Sequence, residues 1–295
     1  MSRAYYGKHI IKPPEWTDLI PLYFFTGGLA GASATVAFAQ RCARNDALAR
    51  TMIGGSAAAT AVSMYCLIAD LKRPERFANM LRVFKPTSPM SVGVYIFSAF
   101  GSAIFAAAAS EFSGAARGVG RVSEALAAFL GPAMSVYTSV LIGDTVVPAW
   151  YRGRRTLPFV FAATSASSAG ALGLLFGQRG STKPSRRLAM LGAGVMPLAL
   201  ACLHREAGNR IAHAYDEGQA GTLSRAARRL NATGAVCAAL ARKHDAFGRA
   251  AGILLLAGAL AERFGIYRAG VNSARDPAYV IDDQRQPQNA SAHAH

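Results

Sequence analysis

The sequence predicts an all-α integral membrane protein with eight transmembrane helices. Only 16% of the 295 residues are charged, whereas about 25% is usual in a soluble domain, and the mean hydropathy is +0.22. The charges are clustered, and long uncharged runs separate the clusters. Several runs approach the roughly 17–25 residues that cross a bilayer as a helix. A soluble protein with a large buried helical core is the alternative interpretation.

Six uncharged runs predict the first six transmembrane spans. In chain order they are Leu19–Gln40, Thr51–Ala69, Val92–Ala109, Ala125–Gly143, Thr156–Gln178 and Leu188–Leu203. Two weaker runs complete the eight, about Thr222–Ala241 and Ala246–Gly265, and each carries arginine near one end, where the side chain can snorkel to the interface. The polar connection His204–Arg229 predicts an amphipathic helix at the membrane surface.

These spans divide the chain into four parts. Residues 1–18 form an N-terminal docking segment, residues 19–150 hold the first four spans, residues 151–267 hold the second four, and residues 268–295 form a tail. A polar loop, residues 72–91, connects the second and third spans. Eight spans place both chain ends on one membrane face, which we name face A, and we name the opposite face B.

The net charge of +16 would suggest a nucleic-acid partner in a soluble protein. Here most lysines and arginines fall in short loops between spans, where the positive-inside rule and anionic lipid head groups account for them. The partner predicted from charge is therefore the lipid bilayer, and no nucleic acid is expected.

Cysteine and histidine argue against a metal centre within this chain. The four cysteines are isolated, without the C-x-x-C or similar spacing of zinc sites and iron–sulfur clusters. No histidine lies deep in a predicted span, so axial ligands for a membrane haem are missing. We expect no metal site, no iron–sulfur cluster and no haem.

Acidic residues gather near one end of three predicted spans. Asp70, Asp144 and Glu262 each lie within a turn or two of the face-A end of their span. Charged groups in a membrane are costly and mark functional sites by default. The structural alternative for Asp70 is that it caps the polar loop or pairs with a basic residue there. Glu111 and Glu124 fall on face B, where a solvated interface explains them.

Hydroxyl groups and glycines lie at the matching depth of the first span. Tyr23 and Thr26 are on its face-A side, and Gly27 begins a G-x-x-x-G pattern that ends at Gly31. Small residues four apart let helices approach closely, and a glycine can also leave room for a flat ligand ring. Oxidation of a lipid quinol needs an apolar slot, a hydroxyl to hold a carbonyl oxygen, and a carboxylate to take protons. Face A offers these groups.

One polar stretch carries a recognisable signature. Residues 70–77 read DLKRPERF, and residues 85–91 read KPTSPMS. The stretch resembles the D-L-G-R-P-E-R-F…K-x-x-S-P-M-S signature of the NrfD/PsrC family, the membrane subunits of polysulfide, nitrite, formate and related molybdenum-enzyme respiratory complexes. Lys72 stands where the family usually has glycine. Residues 5–16, 23–28 and 274–277 are similar to the shorter branch of that family.

The resemblance implies a fold and a set of partners. It implies two four-helix bundles, with a menaquinone or ubiquinone site in the first. It also implies a ferredoxin-like subunit with 4Fe-4S clusters docked over that site, and a molybdopterin catalytic subunit beyond it, at a bacterial inner membrane. Tyr137 is the residue that matches the quinone-binding tyrosine of the family's fourth helix.

The predicted site assigns three roles. The quinone-binding residues are Tyr137, Tyr23, Thr26 and Gly27; the proton-exchanging acids are Asp70 and Asp144; and the partner-docking residues are Arg73, Glu75, Arg76 and Trp16. An interfacial anchor is the alternative role for Trp16. For the whole protein, the alternatives are a structural membrane anchor without quinone chemistry and an ion-coupled secondary transporter.

Overall fold

The computed structural model describes residues 11–12, 14–71, 73, 79, 81–82, 84–178, 180–242, 244–276 and 279. Over these ranges the chain is helical and contains no strand. The helices in chain order are α1 (Leu19–Cys42), α2 (Asp46–Ala69), α3 (Pro89–Ser113), α4 (Arg117–Gly143), α5 (Pro148–Arg152), α6 (Leu157–Phe176), α7 (Lys183–Asp216), α8 (Gly218–Leu240) and α9 (Asp245–Arg275).

The predicted all-helical membrane fold is confirmed, and seven spans are supported. Among the described helices, α1, α2, α3, α4, α6, α7 and α9 are long and apolar enough to cross a membrane. Helix α8 is long enough but too polar, because Arg225, Arg228 and Arg229 lie within it. The eighth span and the two-bundle arrangement therefore stay predictions.

Helix α1 is the central element of the packing. It contacts α2, α4, α6 and α9, while α3 packs mainly on α4, and α8 packs mainly on α9. Gly31 of α1 faces Gly131 of α4 so closely that a Cβ on Gly31 would lie 2.4 Å from the Gly131 carbonyl oxygen. Small residues at this crossing let the two backbones approach closely. Close packing matters here because the hydrophobic effect does not drive helices together in lipid.

The connection around residue 208 differs from its prediction. His204–Arg229 is not one surface helix: α7 continues to Asp216 through a break at Gly208, which has φ 78°, and α8 begins at Gly218. The segment after Gly208 returns to the core because Ile211 and Tyr215 are buried. The Tyr215 hydroxyl donates to the carbonyl of Ala149, 2.8 Å away.

Helix α5 is locked in place by an aromatic stack at face A. The fully buried Trp150 stacks on Trp16 (ring centroids 5.8 Å apart) and on Tyr267 (6.2 Å). Its indole N–H donates to the carbonyl of Ile266 at 2.9 Å. Gly270 of α9 lies against the indole, and a Cβ there would come within 1.9 Å of Trp150 Cε2. The indole therefore fits only because residue 270 has no side chain.

We predict that Gly270→Ala lowers the thermal unfolding temperature of the detergent-purified protein. The new methyl group overlaps the Trp150 ring, and overpacking of this kind costs about 1–3 kcal/mol. Gly194→Ala is the matched control, because residue 194 is also helical and a Cβ there meets nothing within 4 Å. Equal unfolding temperatures for the two variants would contradict the assignment.

Candidate functional site

Three aromatic rings from three helices meet inside α1–α4, near face A. The ring of Tyr23 in α1 lies edge-on to Phe97 of α3 (centroids 6.1 Å apart) and to Tyr137 of α4 (6.4 Å). Tyr23 is only 3% exposed. We name these three rings, together with Thr26 and Gly27, the Tyr137 cluster.

The hydroxyl of Tyr137 is the unusual polar group of this cluster. It is shielded from the surface and makes no hydrogen bond in the part of the chain that the structure describes. The tyrosine ring lies against Gly93 of α3, where a Cβ would come within 2.7 Å of Cε2. A buried donor without a partner costs about 1–3 kcal/mol, so such a group marks a position for a water molecule or a ligand.

Thr26 and Gly27 face the same interior. The Thr26 hydroxyl lies 3.1 Å from the Leu22 carbonyl and 2.7 Å from the Ser63 hydroxyl. A Cβ on Gly27 would lie 3.2 Å from the Met134 methyl group and 3.8 Å from the Tyr23 ring. The fold therefore brings together all four residues predicted to bind the quinone.

The two predicted proton-exchanging acids lie at helix ends. Asp70 caps the C-terminus of α2, and its carboxylate accepts from the backbone N–H (2.9 Å) and the hydroxyl (2.6 Å) of Thr17. Asp144 follows α4 and is exposed, and its side chain has no hydrogen bond or ion pair within the described residues. Neither carboxylate is hydrogen-bonded to the Tyr137 cluster.

The predicted docking residues separate into two groups. Trp16 is half-buried: it stacks on Trp150, and its carbonyl accepts a hydrogen bond from the Tyr267 hydroxyl. Arg73 is exposed. Glu75 and Arg76 lie outside the described residues, so their roles stay predictions.

A buried arginine joins α9 to α6, and the sequence analysis placed it wrongly at the interface. Arg263 is 1% exposed, and its Nη2 donates to the Phe161 carbonyl (2.9 Å) and to the Ser165 hydroxyl (3.1 Å). Its guanidinium lies 3.5 Å from the centroid of the Phe161 ring. Nε and Nη1 of Arg263, and Oε2 of the adjacent Glu262, are buried without partners among the described residues. The only signal in the sequence was an arginine inside an apolar run.

A charge cluster at face B also corrects an expectation. Arg41 of α1 contacts three carboxylates, those of Asp46 (2.9 Å), Glu111 (2.6 Å) and Glu124 (3.2 Å). Glu124 is 3% exposed, so it does not lie at a solvated interface as expected. Because Arg41 and Glu124 are 83 positions apart, sequence spacing gave no sign of their pairing.

The described residues contain no group of three or more His, Cys, Asp or Glu side chains that could hold a metal ion. The candidate site itself presents hydroxyl groups and aromatic rings. The Tyr137 cluster lies within helices long and apolar enough to span a membrane.

Comparison with known families decides the relationship. The family described as "Polysulphide reductase, NrfD" matches residues 12–204. The chain belongs to the NrfD family. The match to NrfD covers the Tyr137 cluster, Asp70 and Asp144, whereas Arg263 and helices α8 and α9 lie beyond it. No curated protein matches the sequence. Family membership and the apolar helices together make this chain a multi-pass membrane protein.

We predict that Arg41→Gln destabilises the protein, because it leaves the buried Glu124 carboxylate without a counterion. Breaking a buried pair in this way costs on the order of 3 kcal/mol, and thermal unfolding in detergent measures it. The double variant Arg41→Gln/Glu124→Gln should recover part of the loss. Arg117→Gln is the control, since Arg117 lines the same cavity. A control as unstable as Arg41→Gln would contradict the prediction.

Proposed function

We propose that this NrfD-family chain is the quinone-reactive membrane subunit of a respiratory molybdopterin oxidoreductase complex in a bacterial inner membrane. It exchanges electrons between menaquinone or ubiquinone and a docked ferredoxin-like subunit with 4Fe-4S clusters. The observation that carries the proposal is the buried Tyr137 hydroxyl, which lacks a hydrogen-bond partner among the described residues. It lies in an aromatic cluster within helices that suit a bilayer.

The residues of the cluster suit a quinone head group. The Tyr137 hydroxyl donates to one carbonyl oxygen of the ring, and the rings of Tyr23 and Phe97 supply apolar contact. The hydroxyl of Thr26, which already shares a hydrogen bond with Ser63, offers a second polar contact. Tyr23 and Tyr137 close the space between them, so a head group enters only when one of these rings rotates.

A groove on the membrane-facing side of α2 supports access from lipid. A cavity of about 650 Å³ lies among α1, α2, α3 and α6, and apolar side chains make up most of its wall. It reaches Thr26 and Leu29 of α1, and Val62 and Phe112 also line it. An apolar path that ends at a residue of the Tyr137 cluster is suited to the prenyl tail of a lipid quinone.

The two acids at face A would handle protons. A bound quinol supplies two electrons and two protons on oxidation. Asp144 follows Tyr137 by about two helical turns, is exposed, and has a carboxylate free within the described part to accept a proton and release it to water. Asp70 is the second proposed acid, and its contact with Thr17 also fixes the N-terminal segment beside α2.

The proposed architecture includes α8 as an eighth span. Asn231 lies in the buried face of α8 and donates to the Ala193 carbonyl of α7 at 3.1 Å. The three arginines of α8 lie in its first half, on the face-A side, where they can reach the head groups. Helices α1–α4 and α6–α9 then form two four-helix bundles, and the partner docks on face A over Arg73, Glu75 and Arg76.

We predict that Tyr137→Phe lowers quinol-coupled turnover of the assembled complex about fivefold to tenfold, because one hydrogen bond to the head group is lost. Tyr65→Phe is the matched control, since Tyr65 is exposed on α2. Turnover is measured with purified complex and a soluble quinol, and co-purification of the partner subunits measures assembly.

Turnover with a quinone analogue, and transport by the chain in liposomes, separate the proposal from its alternatives. If Tyr137→Phe turns over like the parent and a quinone analogue does not inhibit, the chain is a membrane anchor without quinone chemistry. If the purified chain moves ions or solute across liposomes without a redox partner, it is a transporter. Asp144→Asn should reduce turnover because the proposed proton-accepting carboxylate is lost, while assembly stays intact.

A further inference from the structure

A second cavity at face B has no place in the proposed quinone chemistry. It has a volume of about 430 Å³ and lies where α6 and α8 end and where α7 and α9 begin. Among the described residues, five basic side chains line it, contributed by α7, α9 and the end of α8: Lys183, Arg186, Arg187, Arg242 and Arg249. We name this site the face-B basic cavity.

The positive charge of this cavity is not neutralised by the described protein. Among the described lining residues Asp245 is acidic, and none of the five basic side chains forms an ion pair with a described residue. Like charges gathered in one cavity repel one another. The arrangement therefore favours an anion from outside the protein.

The other cavity on the same membrane face shows the contrast. It is lined by Arg41, Arg117 and Arg121, and also by the carboxylates of Asp46, Glu111 and Glu124. Basic and acidic side chains are equal in number there, and Arg41 pairs with all three carboxylates. Charge is thus balanced among the described side chains that line the cavity at α1–α4, and it is left unbalanced in the cavity at α6–α9.

Part of the basic cavity wall is apolar. Leu174, Leu175 and Gly248 line it together with the charged side chains. Beside it, Phe176 and Phe247 are exposed at the level where α6 ends and α9 begins. An inorganic anion would satisfy the charge and leave this apolar surface uncovered, whereas a phospholipid carries both a phosphate and acyl chains.

We propose that the face-B basic cavity binds the phosphate head group of an anionic phospholipid from the bilayer. The guanidinium groups of Arg186 and Arg249 act as counterions from two different helices. The acyl chains leave over Leu175 and Phe176 into the membrane. Such a lipid connects the ends of four helices, and it does so whether or not the chain reacts with quinone.

The test compares lipid binding by two doubly substituted complexes. Arg186→Gln/Arg249→Gln removes two charges from the basic cavity, and Arg117→Gln/Arg121→Gln removes two charges from the balanced cavity on the same face. Delipidated complex is titrated with phosphatidylglycerol or phosphatidylcholine in mixed micelles, or with inorganic phosphate. Thermal stability and native mass spectrometry report binding.

We expect phosphatidylglycerol to stabilise the parent and the control, and its apparent dissociation constant to rise about tenfold in Arg186→Gln/Arg249→Gln because two charge contacts are lost. Arg186→Lys/Arg249→Lys keeps the charge and should restore binding, which separates charge from folding. Equal weakening in the control, equal stabilisation by phosphatidylcholine, or equal stabilisation by inorganic phosphate would each overturn the proposal.

Discussion

The buried guanidinium of Arg263 constrains how α9 packs on α6 and beside α1. It is buried where α1, α6 and α9 meet, bonded to the Phe161 carbonyl and the Ser165 hydroxyl and stacked on the Phe161 ring. A Cβ on Gly28 of α1 would lie only 3.2 Å from Nη2. A charge in a bilayer core is tolerated only where fixed polar groups replace water. The contacts of Arg263 therefore favour one register of α9 against α6, and Gly28 of α1 leaves room for the guanidinium.

Neighbouring positions of α1 point towards different helices, because successive residues of a helix are about 100° apart. Gly28 faces Arg263, whereas Tyr23 and Gly27 face α3 and α4. The polar groups of this interior differ in how they are satisfied. The Arg41 guanidinium has three carboxylate partners, so it serves the structure, whereas the Tyr137 hydroxyl lacks a partner in the described chain. An unsatisfied donor in an apolar interior is the sign that favours a ligand there.

The two membrane faces are built from different interactions. Face A is held by stacked aromatic rings around Trp150 and by hydrogen bonds that tie Trp16 and Thr17 to α9 and Asp70. At face B, Arg41 forms ion pairs with three carboxylates, whereas the basic cavity carries an excess of positive side chains. The Tyr137 cluster lies near face A, and the excess positive charge of the basic cavity lies on face B.

The sequence by itself determined the helical membrane class, the position of seven spans and the NrfD relationship, because hydropathy and motif are properties of neighbouring residues. The spacing of Tyr23, Thr26 and Gly27 also placed them on one side of α1, as a helical period requires. The tertiary structure alone decided that Arg263 is buried, that Arg41 pairs with Glu124, and that Trp16 stacks on Trp150. These contacts join residues far apart in the chain. The packing of the helix faces determines which of these residues meet.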